Sequence, residues 1–440
     1  MRLGVDDTDS PQGGCTTHVL TGLVALARGH GLDVLGEPKL VRLNPNVPWK
    51  TRGNAALSVT LGHGGGPARE IGEVDGAPVL SYRRGRPESP EERRRYSKDA
   101  WRFVRENARP ELGTDPALVV VDRTLPESLY TAAVSRVVDP LDVEDRLRRE
   151  NAWYRLSGSR RGIVGAAAAA AWPGRRRTWE VISYRNPGAR GSREVDAASV
   201  LTAARRERSL FLCHDPRTRR LLVVPHTPCP ILFGLRSKTA EGALRARPWV
   251  RSEPVDRWLL FRTNQGTGDH LRAEPAVPLG PFTPARLNGH VVGSPTIYRG
   301  GHVRFQISVH GVRVDCHAFE PTKVLPSVAR GLCEGDEVEV WGGTRDDPTL
   351  RAEGIVVRRL ARRVERGRPP RCPACSRRAR SLGAGRGFRC PGCHRRWPPE
   401  ASRARKVTPV LHRGVYHPTP SARRHLAPLG PEPAVTAPSA

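Results

Sequence analysis

Asp6, Asp7 and Asp9 stand together in the run Val5-Asp-Asp-Thr-Asp-Ser10 near the amino terminus. Carboxylates that close repel one another unless a cation neutralises them, and carboxylates with water and substrate phosphates are how Mg²⁺ is usually held. Gly13-Gly14 follows and leads into a helical pattern that begins at Thr16-Thr17. A helix N-terminus offers free N–H groups to phosphate. The two features together predict a nucleoside triphosphate site. It is not a Walker loop, because no Gly-Lys-Ser/Thr follows. The plainer reading of the same residues is an acidic surface turn at the start of a helix. The loop Asn44-Pro-Asn-Val-Pro-Trp-Lys-Thr-Arg-Gly-Asn54 is the natural partner. Lys50 and Arg52 suit phosphate oxygens, and Asn54 suits a metal or a base; the plainer reading is a solvated loop.

Four of the nine cysteines, Cys372, Cys375, Cys390 and Cys393, form two Cys-x-x-Cys pairs separated by 14 residues. Two such knuckles supply four thiolates for tetrahedral Zn²⁺, the spacing of a zinc ribbon. The segment is too short to fold without a staple, so the metal is structural. Many arginines surround it, among them Arg377, Arg378, Arg386 and Arg395, which suits contact with RNA. Cys15, Cys213, Cys229, Cys316 and Cys333 are scattered and read as small core residues. An odd count with a metal-like cluster suits a reducing cytoplasm better than a disulfide scaffold.

The elements that must position these groups follow from periodicity. A strand at Arg2 to Val5 delivers the aspartates. A helix over 16–29 has its apolar face at Val19, Leu20, Leu23, Val24 and Ala27, with Thr16 or Thr17 as cap and Gly29 or Gly31 as stop. Strand–loop–strand over 40–61, a charged helix over 83–109 and a strand at 118–121 complete an α/β pattern. Helices near 142–151, 158–172 and 199–207 alternate with strands at 178–184 and 258–262, a hairpin over 211–224 and a buried run at 231–235. That is α+β. The polar stretches 225–236 and 261–270 lie beside apolar strands, where such residues line sites more often than cores. Over 285–362, alternation at Val303, Phe305, Ile307 and Val309 and again at Val312, Val314 and Cys316 predicts five short strands with a helix near 326–331, a small barrel of the OB type. Residues 401–440 read as a basic, Pro- and Ala-rich tail that is partly disordered.

With 73 Lys+Arg against 44 Asp+Glu, the 440-residue chain carries a formal charge of +29. Arginine's fork binds phosphate and stacks on bases, so the excess points to nucleic acid. GC-rich codon usage accounts for arginine over lysine but not for the missing acids. With 38% apolar residues, packed cores form and wholesale disorder is excluded. No apolar run is long enough to span a bilayer, and the acidic motif leaves no room for a signal peptide.

Val-Asp-Asp-Thr-Asp-Ser (5–10), Cys-Thr-Thr (15–17), the loop 44–54, Arg-Thr-Asn-Gln-Gly-Thr (262–267), an OB region and a terminal zinc ribbon occur in that order. In these the chain resembles the archaeal 2-agmatinylcytidine synthetases of isoleucine tRNA over nearly its whole length. The resemblance implies a multidomain α+β protein: a kinase-like α/β ATP-binding domain (1–137), a ferredoxin-like domain sharing the agmatine and ATP site (138–283), an OB-fold β-barrel (284–365), a zinc ribbon (366–400) and the tail (401–440). It implies ATP-dependent attachment of agmatine to C2 of the wobble cytidine of the CAU-anticodon isoleucine tRNA, which changes decoding from AUG to AUA, with AMP and two phosphates as by-products. Asp6, Asp7 and Asp9 would then hold Mg²⁺ and triphosphate, Thr16 stands where the family has its autophosphorylated threonine, and Lys50 and Arg52 would stabilise phosphoryl transfer. Thr8, Ser10, Gly13, Gly14, Thr17 and Asn54 would surround the phosphates. Tyr184, Asn264, Gln265, Asp269 and His270 are the residues expected around agmatine. The expected cofactors are ATP, Mg²⁺ and structural Zn²⁺; the expected partners are this tRNA and agmatine in the cytoplasm, with no membrane.

Two rivals remain at this point. A non-catalytic RNA-binding protein needs only the OB fold, the ribbon and the charge. A Mg²⁺-dependent kinase or hydrolase of a small molecule would leave the basic C-terminal half idle. ATP consumption that depends on both tRNA and agmatine separates the synthetase from both.

Overall fold

The structure is a computed structural model that describes residues 1–430 apart from 52, 190, 274, 366–367, 403–404 and 407–410. Its first part runs β1 (Arg2–Asp6), α1 (Thr16–Gly29), β2 (Asp33–Leu35), β3 (Lys39–Arg42), β4 (Ala55–Val74), β5 (Ala77–Arg86), α2 (Pro90–Asn107), β6 (Ala117–Val121), α3 (Glu127–Ser135), α4 (Pro140–Arg149) and β7 (Trp153–Leu156). The second part adds α5 (Gly162–Ala171), β8 (Thr178–Arg185), α6 (Ala197–Arg206), the short hairpin β9 (His214–Asp215) and β10 (Arg220–Leu221), β11 (Ile231–Ser237), α7 (Ala240–Ala246) and β12 (Val255–Thr263).

These two parts share one sheet. Its strand order is β11-β8-β12-β3-β4-β1-β6-β7, with β2 and β5 attached to β4. The seam is β12, whose Arg262 and Thr263 run parallel to Lys39 and Leu40 while Trp258 and Leu259 face Glu73 and Gly72. The strand β6 is Ala-Leu-Val-Val-Val, buried at every position, as a strand covered on both faces must be. One of those covers is α5, whose alanine run lets the helix axis come close: a Cβ on Gly4 of β1 would stand 2.0 Å from the Ala166 carbonyl. A run that reads as merely apolar is therefore a helix–sheet contact surface.

The helix expected over 83–109 begins later, at Pro90. Ser89 and Glu92 form a reciprocal capping box there, and Pro90 sits in the first turn. Residues 77–86 instead pair with the long β4 as a hairpin, whose charged, exposed strand carries no apolar period to betray it. Cys15 rather than a threonine is the N-cap of α1, in an extended conformation, and Gly31 adopts φ +71° just beyond the end.

The third part runs β13 (Arg272–Ala273), β14 (Pro284–Tyr298), β15 (His302–Val309), β16 (Val312–Ala318), α8 (Val324–Gly331), β17 (Glu337–Gly343) and β18 (Leu350–Arg359). Pairings β14–β15–β16–β18–β17 close back through β14–β17, giving a five-stranded barrel around its own core. Three two-residue strands, Arg380–Ser381, Phe388–Arg389 and Arg396–Trp397, form the small sheet of the cysteine knuckles.

Within the expected tail, residues 411–430 are ordered, while 403–404, 407–410 and 431–440 lie outside the described residues. Gly414–Tyr416 adds an edge strand to β18. The chain then crosses to the large sheet, where Gly266 N donates to His425 O at 2.8 Å, Gly268 N to Leu426 O at 2.8 Å and Leu429 N to Gly266 O at 2.9 Å. Asp215 accepts from both the backbone and the hydroxyl of Ser421. Backbone pairing needs no sequence signature, so composition alone reads this strap as a tail.

Candidate functional site

The acidic run emerges where β1 ends, at the edge of a cavity of about 840 Å³. Asp6 is its last residue, and burial pushes its carboxyl well above the ordinary range, with Asp7 beside it as the next cause. Asp7 has a left-handed backbone, φ 58°. Burial first, then Asp115 and Asp9, raises Asp7 to about 6, with Arg161 acting against them. Ser10 and Gly13 exchange backbone hydrogen bonds of 2.9 and 3.2 Å and turn the chain toward α1. Because Cys15 caps no helical N–H with its side chain, the first turn of α1 keeps donors for an anion. The Thr16 hydroxyl donates to Asp9 Oδ1 at 3.3 Å and accepts from Thr8 Oγ1 at 3.2 Å. That arrangement polarises one hydroxyl toward a carboxylate base.

The loop after β3 supplies the second wall. Lys50 Nζ donates to Val47 O at 2.9 Å. Burial lowers its pKa, and the neighbouring Arg424 and Arg345 add to the effect. Asn54 donates to Asn44 O at 2.8 Å, and Thr51 Oγ1 to Asp9 O at 3.3 Å, so this loop is tied to the acidic turn. At the mouth, Arg161 stacks 4.8 Å over the half-exposed Trp49.

The third wall comes from β8, β11 and the loop between β10 and β11. Glu180 accepts from Gln265 Nε2 and faces Arg236 Nε at 3.4 Å. Gln265 Oε1 meets His425 Nδ1 of the C-terminal strap at 3.0 Å. Arg42 lies behind them, its Nε is buried without a hydrogen-bond partner among the described residues, and burial lowers its pKa to about 10. Arg193 holds the loop over 225–231 by donating to the carbonyls of Ile231 (2.6 Å), Pro225 (2.9 Å), Thr227 (2.9 Å) and Cys229 (2.7 Å).

Apart from this cavity, the four cysteine Sγ atoms converge to within 4.8 Å of one another, with Cys372 to Cys393 at 3.2 Å and Cys375 to Cys390 at 3.3 Å. Tetrahedral Zn–S bonds of about 2.3 Å need sulfurs at similar spacing. Among the described residues the aspartates form no comparably tight cluster.

Family descriptions match the chain in three consecutive blocks: the TiaS TCKD domain over residues 2–156, the TiaS FLD domain over 160–270 and the TiaS C-terminal zinc ribbon domain over 369–413. The isoleucine-tRNA 2-agmatinylcytidine synthetase TiaS of Archaeoglobus fulgidus is 34% identical over 97% of this chain and 96% of its own length. The chain belongs to the TiaS family. The TiaS of Thermofilum pendens is 35% identical over 97% of this chain and 93% of that protein. Among solved structures, apo TiaS superposes with a TM-score of 0.80 at 32% identity, covering 98% of this chain and 97% of that one. The complex of TiaS with its isoleucine tRNA and ATP gives 0.83 at 32%, covering 97% and 95%. The complex of TiaS with the same tRNA, AMPCPP and agmatine gives 0.80 at 30%, covering 97% and 96%. The mixed α/β body, the five-stranded barrel and a four-cysteine zinc ribbon are thus shared with TiaS structures.

Within this family member, Asp6, Asp7, Asp9, Thr16, Thr17, Lys50, Asn54 and Gln265 all line the one cavity. Thr8, Ser10, Gly13 and Gly14 build the turn behind it, and Arg52 lies outside the described residues. Of the five residues expected around agmatine, Gln265 alone lines the cavity. Tyr184 is buried with its ring against His18 at 5.4 Å. Asn264 bonds the Arg42 backbone and Tyr130 Oη, Asp269 accepts from Tyr130 Oη at 2.7 Å, and His270 faces Glu353 at 3.5 Å. These four tie elements together beside the cavity. The periodicity of 255–270 could not separate a wall residue from a tie beam. Missed altogether were Glu180, hidden in an apolar strand pattern, and Arg424 and His425, which read as tail. A carboxylate inside a buried strand is the one signal that pointed to Glu180.

Gly165 of α5 leaves the room that the Asp6 carboxylate occupies: a Cβ there would stand 1.8 Å from Asp6 Oδ2. Gly165→Ala is expected to displace Asp6 and lower turnover by about 100-fold. Parallel turnover and melting measurements check it; a drop in stability with turnover preserved would refute it.

Proposed function

We propose that the chain ligates agmatine to C2 of the wobble cytidine in the CAU-anticodon isoleucine tRNA, consuming ATP, and so converts an AUG reader into an AUA reader. The observation that carries this is the convergence on one cavity of the acidic turn, the Thr16 hydroxyl at the start of α1 and an opposite wall from β8 and β11. The C2 oxygen of cytosine is a poor leaving group. Phosphorylating it converts the oxygen into a phosphate, which departs with the C–O electron pair when a neutral primary amine attacks C2.

Asp6, Asp7 and Asp9 would hold Mg²⁺ with the triphosphate, the ion neutralising phosphate charge that these buried carboxylates alone would repel. Thr16 accepts a phosphoryl group, with Asp9 at 3.3 Å to take its proton. Lys50, together with Arg52 by the family resemblance, would offset charge that develops on the transferred phosphoryl. Glu180 is the acid on the opposite wall and suits the guanidinium end of agmatine, a role it would share with Gln265. Guanidinium groups of Arg42, Arg161, Arg236 and Arg424 line the same cavity, and a surplus of fixed positive charge favours the neutral, nucleophilic amine. The wobble base must leave its stack to enter.

The kinase-like reading of 1–137, the ferredoxin-like reading of 138–283, the OB reading of 284–365 and the ribbon at 366–400 divide the labour: chemistry in the first two, grip on RNA shape and phosphates in the last two. Five scattered thiols and a thiolate metal site suit the cytoplasm. Among the described residues no helix is long and apolar enough to cross a membrane.

The test is mass spectrometry of an unmodified CAU-anticodon isoleucine transcript incubated with protein, ATP, Mg²⁺ and labelled agmatine. A mass gain on cytidine that needs all four components is expected and is lost in Thr16→Ala; ATP consumption indifferent to tRNA and agmatine would sink the reading. For the ribbon, one equivalent of Zn²⁺ is expected, and a strong chelator is expected to unfold residues around 369–413 while the sheet stays folded, because metal ligation supplies roughly 10–16 kcal/mol to modules of this size. Hydrogen exchange by segment reads the outcome.

A further inference from the structure

A second cavity of about 390 Å³ lies where the barrel meets the C-terminal strap. Arg424 lines both cavities, so the two adjoin at that residue. The second is lined by Phe319 and by the guanidinium groups of Arg345, Arg351 and Arg424, with Glu353 the only acid among its described lining residues. Glu353 is buried and already engaged, 3.0 Å from Arg424 and 3.5 Å from His270. Arg351 is held by Asp347 at 2.7 Å, while Arg345 is exposed and stands in no ion pair among the described residues, so an anion entering here meets at least one guanidinium not committed to an acid. Phe319 packs against the rings of His302 at 5.3 Å and His317 at 5.8 Å, which hold it in place in the cavity lining.

One aromatic face with several guanidiniums is the chemistry that takes an unpaired nucleotide: the ring stacks on a base of any kind, and the cations take the phosphate. We propose that this cavity holds a nucleotide adjacent in sequence to the base modified in the first cavity, its base against Phe319 and its phosphate at Arg345 and Arg424. Because the two cavities share Arg424 in their linings, consecutive nucleotides of one strand suit them. This rests on the function proposed above and extends it: the enzyme would grip a neighbour of the reacting cytidine so that the cytidine is drawn into the first cavity without being paired or stacked.

The experiment uses the full chain and fluorescently labelled anticodon hairpins of the isoleucine tRNA, intact or with an abasic nucleotide on one side or the other of the wobble cytidine. Stacking of one base on an aromatic ring corresponds to about a tenfold change in affinity. Wild-type protein is expected to lose about that much with one of the two abasic hairpins. Phe319→Leu, which keeps apolar volume but no ring, is expected to lose the same with the intact hairpin and nothing further with that abasic one, while Phe319→Tyr restores binding. ATP binding without RNA stays unchanged in both variants, which separates this contact from the first cavity. If wild-type protein binds the hairpin and Phe319→Leu binds it equally well, or if the two losses multiply, the nucleotide assignment is overturned while the ligase reading stands. If wild-type protein binds no hairpin, both fall.

Discussion

Asp7→Asn is expected to yield a protein that melts higher than the parent at neutral pH and turns over far more slowly. Burial and two neighbouring carboxylates raise the Asp7 pKa from 3.8 to about 6. A carboxyl whose folded pKa lies above its unfolded value destabilises the fold once ionised: the penalty is absent below about pH 4, grows through about pH 6 and is complete above it. At 1.36 kcal/mol per pKa unit, it amounts to roughly 2–3 kcal/mol at neutral pH. Asparagine removes the charge and keeps the shape. The gain in melting temperature should therefore be clear near pH 8 and shrink near pH 5. Parent protein should recover the difference when Mg²⁺ and ATP are added, since a ligand that binds only the folded state stabilises it; the variant should not. Turnover should fall by at least about 100-fold, the usual cost of losing one charge-stabilising group. Scanning calorimetry at the two pH values, with and without Mg²⁺ and ATP, decides it. A variant no more stable than its parent near pH 8 would show that Asp7 is solvated and carries no stored cost.

Stopping the chain after Arg413 is expected to abolish product formation while leaving the zinc ribbon able to bind metal. The truncation removes the edge strand Gly414–Tyr416 from β18 and the three backbone bonds that join the strap to Gly266 and Gly268. It also strips Arg424 from the buried Glu353. Burial works to raise the pKa of that carboxylate, and Arg424 and His270 overcome it and hold it below the ordinary range. Removing one partner of a buried pair costs about 3–5 kcal/mol, less here because Arg424 is partly exposed. His425, which meets Gln265 at 3.0 Å, leaves the cavity wall as well. The milder variant His425→Ala keeps the strap and isolates that contact; its turnover is expected to fall by about tenfold with melting near that of the parent. Full turnover in the truncated chain would show the strap to be packing only.

The acidic turn and the zinc knuckles were legible because their chemistry is local. Four cysteines at fixed spacing specify a tetrahedral site wherever they fold, and Asp6, Asp7, Asp9 and Thr16 are close in sequence, so a single strand–turn–helix brings them together. The barrel was legible because strand alternation at Val303 to Val309 records which side faces a core. The helix of residues 16–29 declares itself by the same logic at a different period.

What composition and periodicity could not hold is pairing between distant strands. Nothing in Arg262 or Lys39 announces that they lie side by side, yet that contact joins the first two parts into one sheet and brings Gln265 into the same cavity as Asp6. The roles of Asn264, Asp269 and His270 followed from the same cause, since whether a polar residue beside a strand faces a cavity or braces a neighbour depends on what packs against it. The strap at 414–430 is the clearest case: its hydrogen bonds run through backbone groups that every residue carries, so only the folded chain could show that a proline- and arginine-rich end forms part of the cavity wall. Residue types fixed the chemistry available to this protein, and long-range burial and strand pairing decided which of those residues share a cavity.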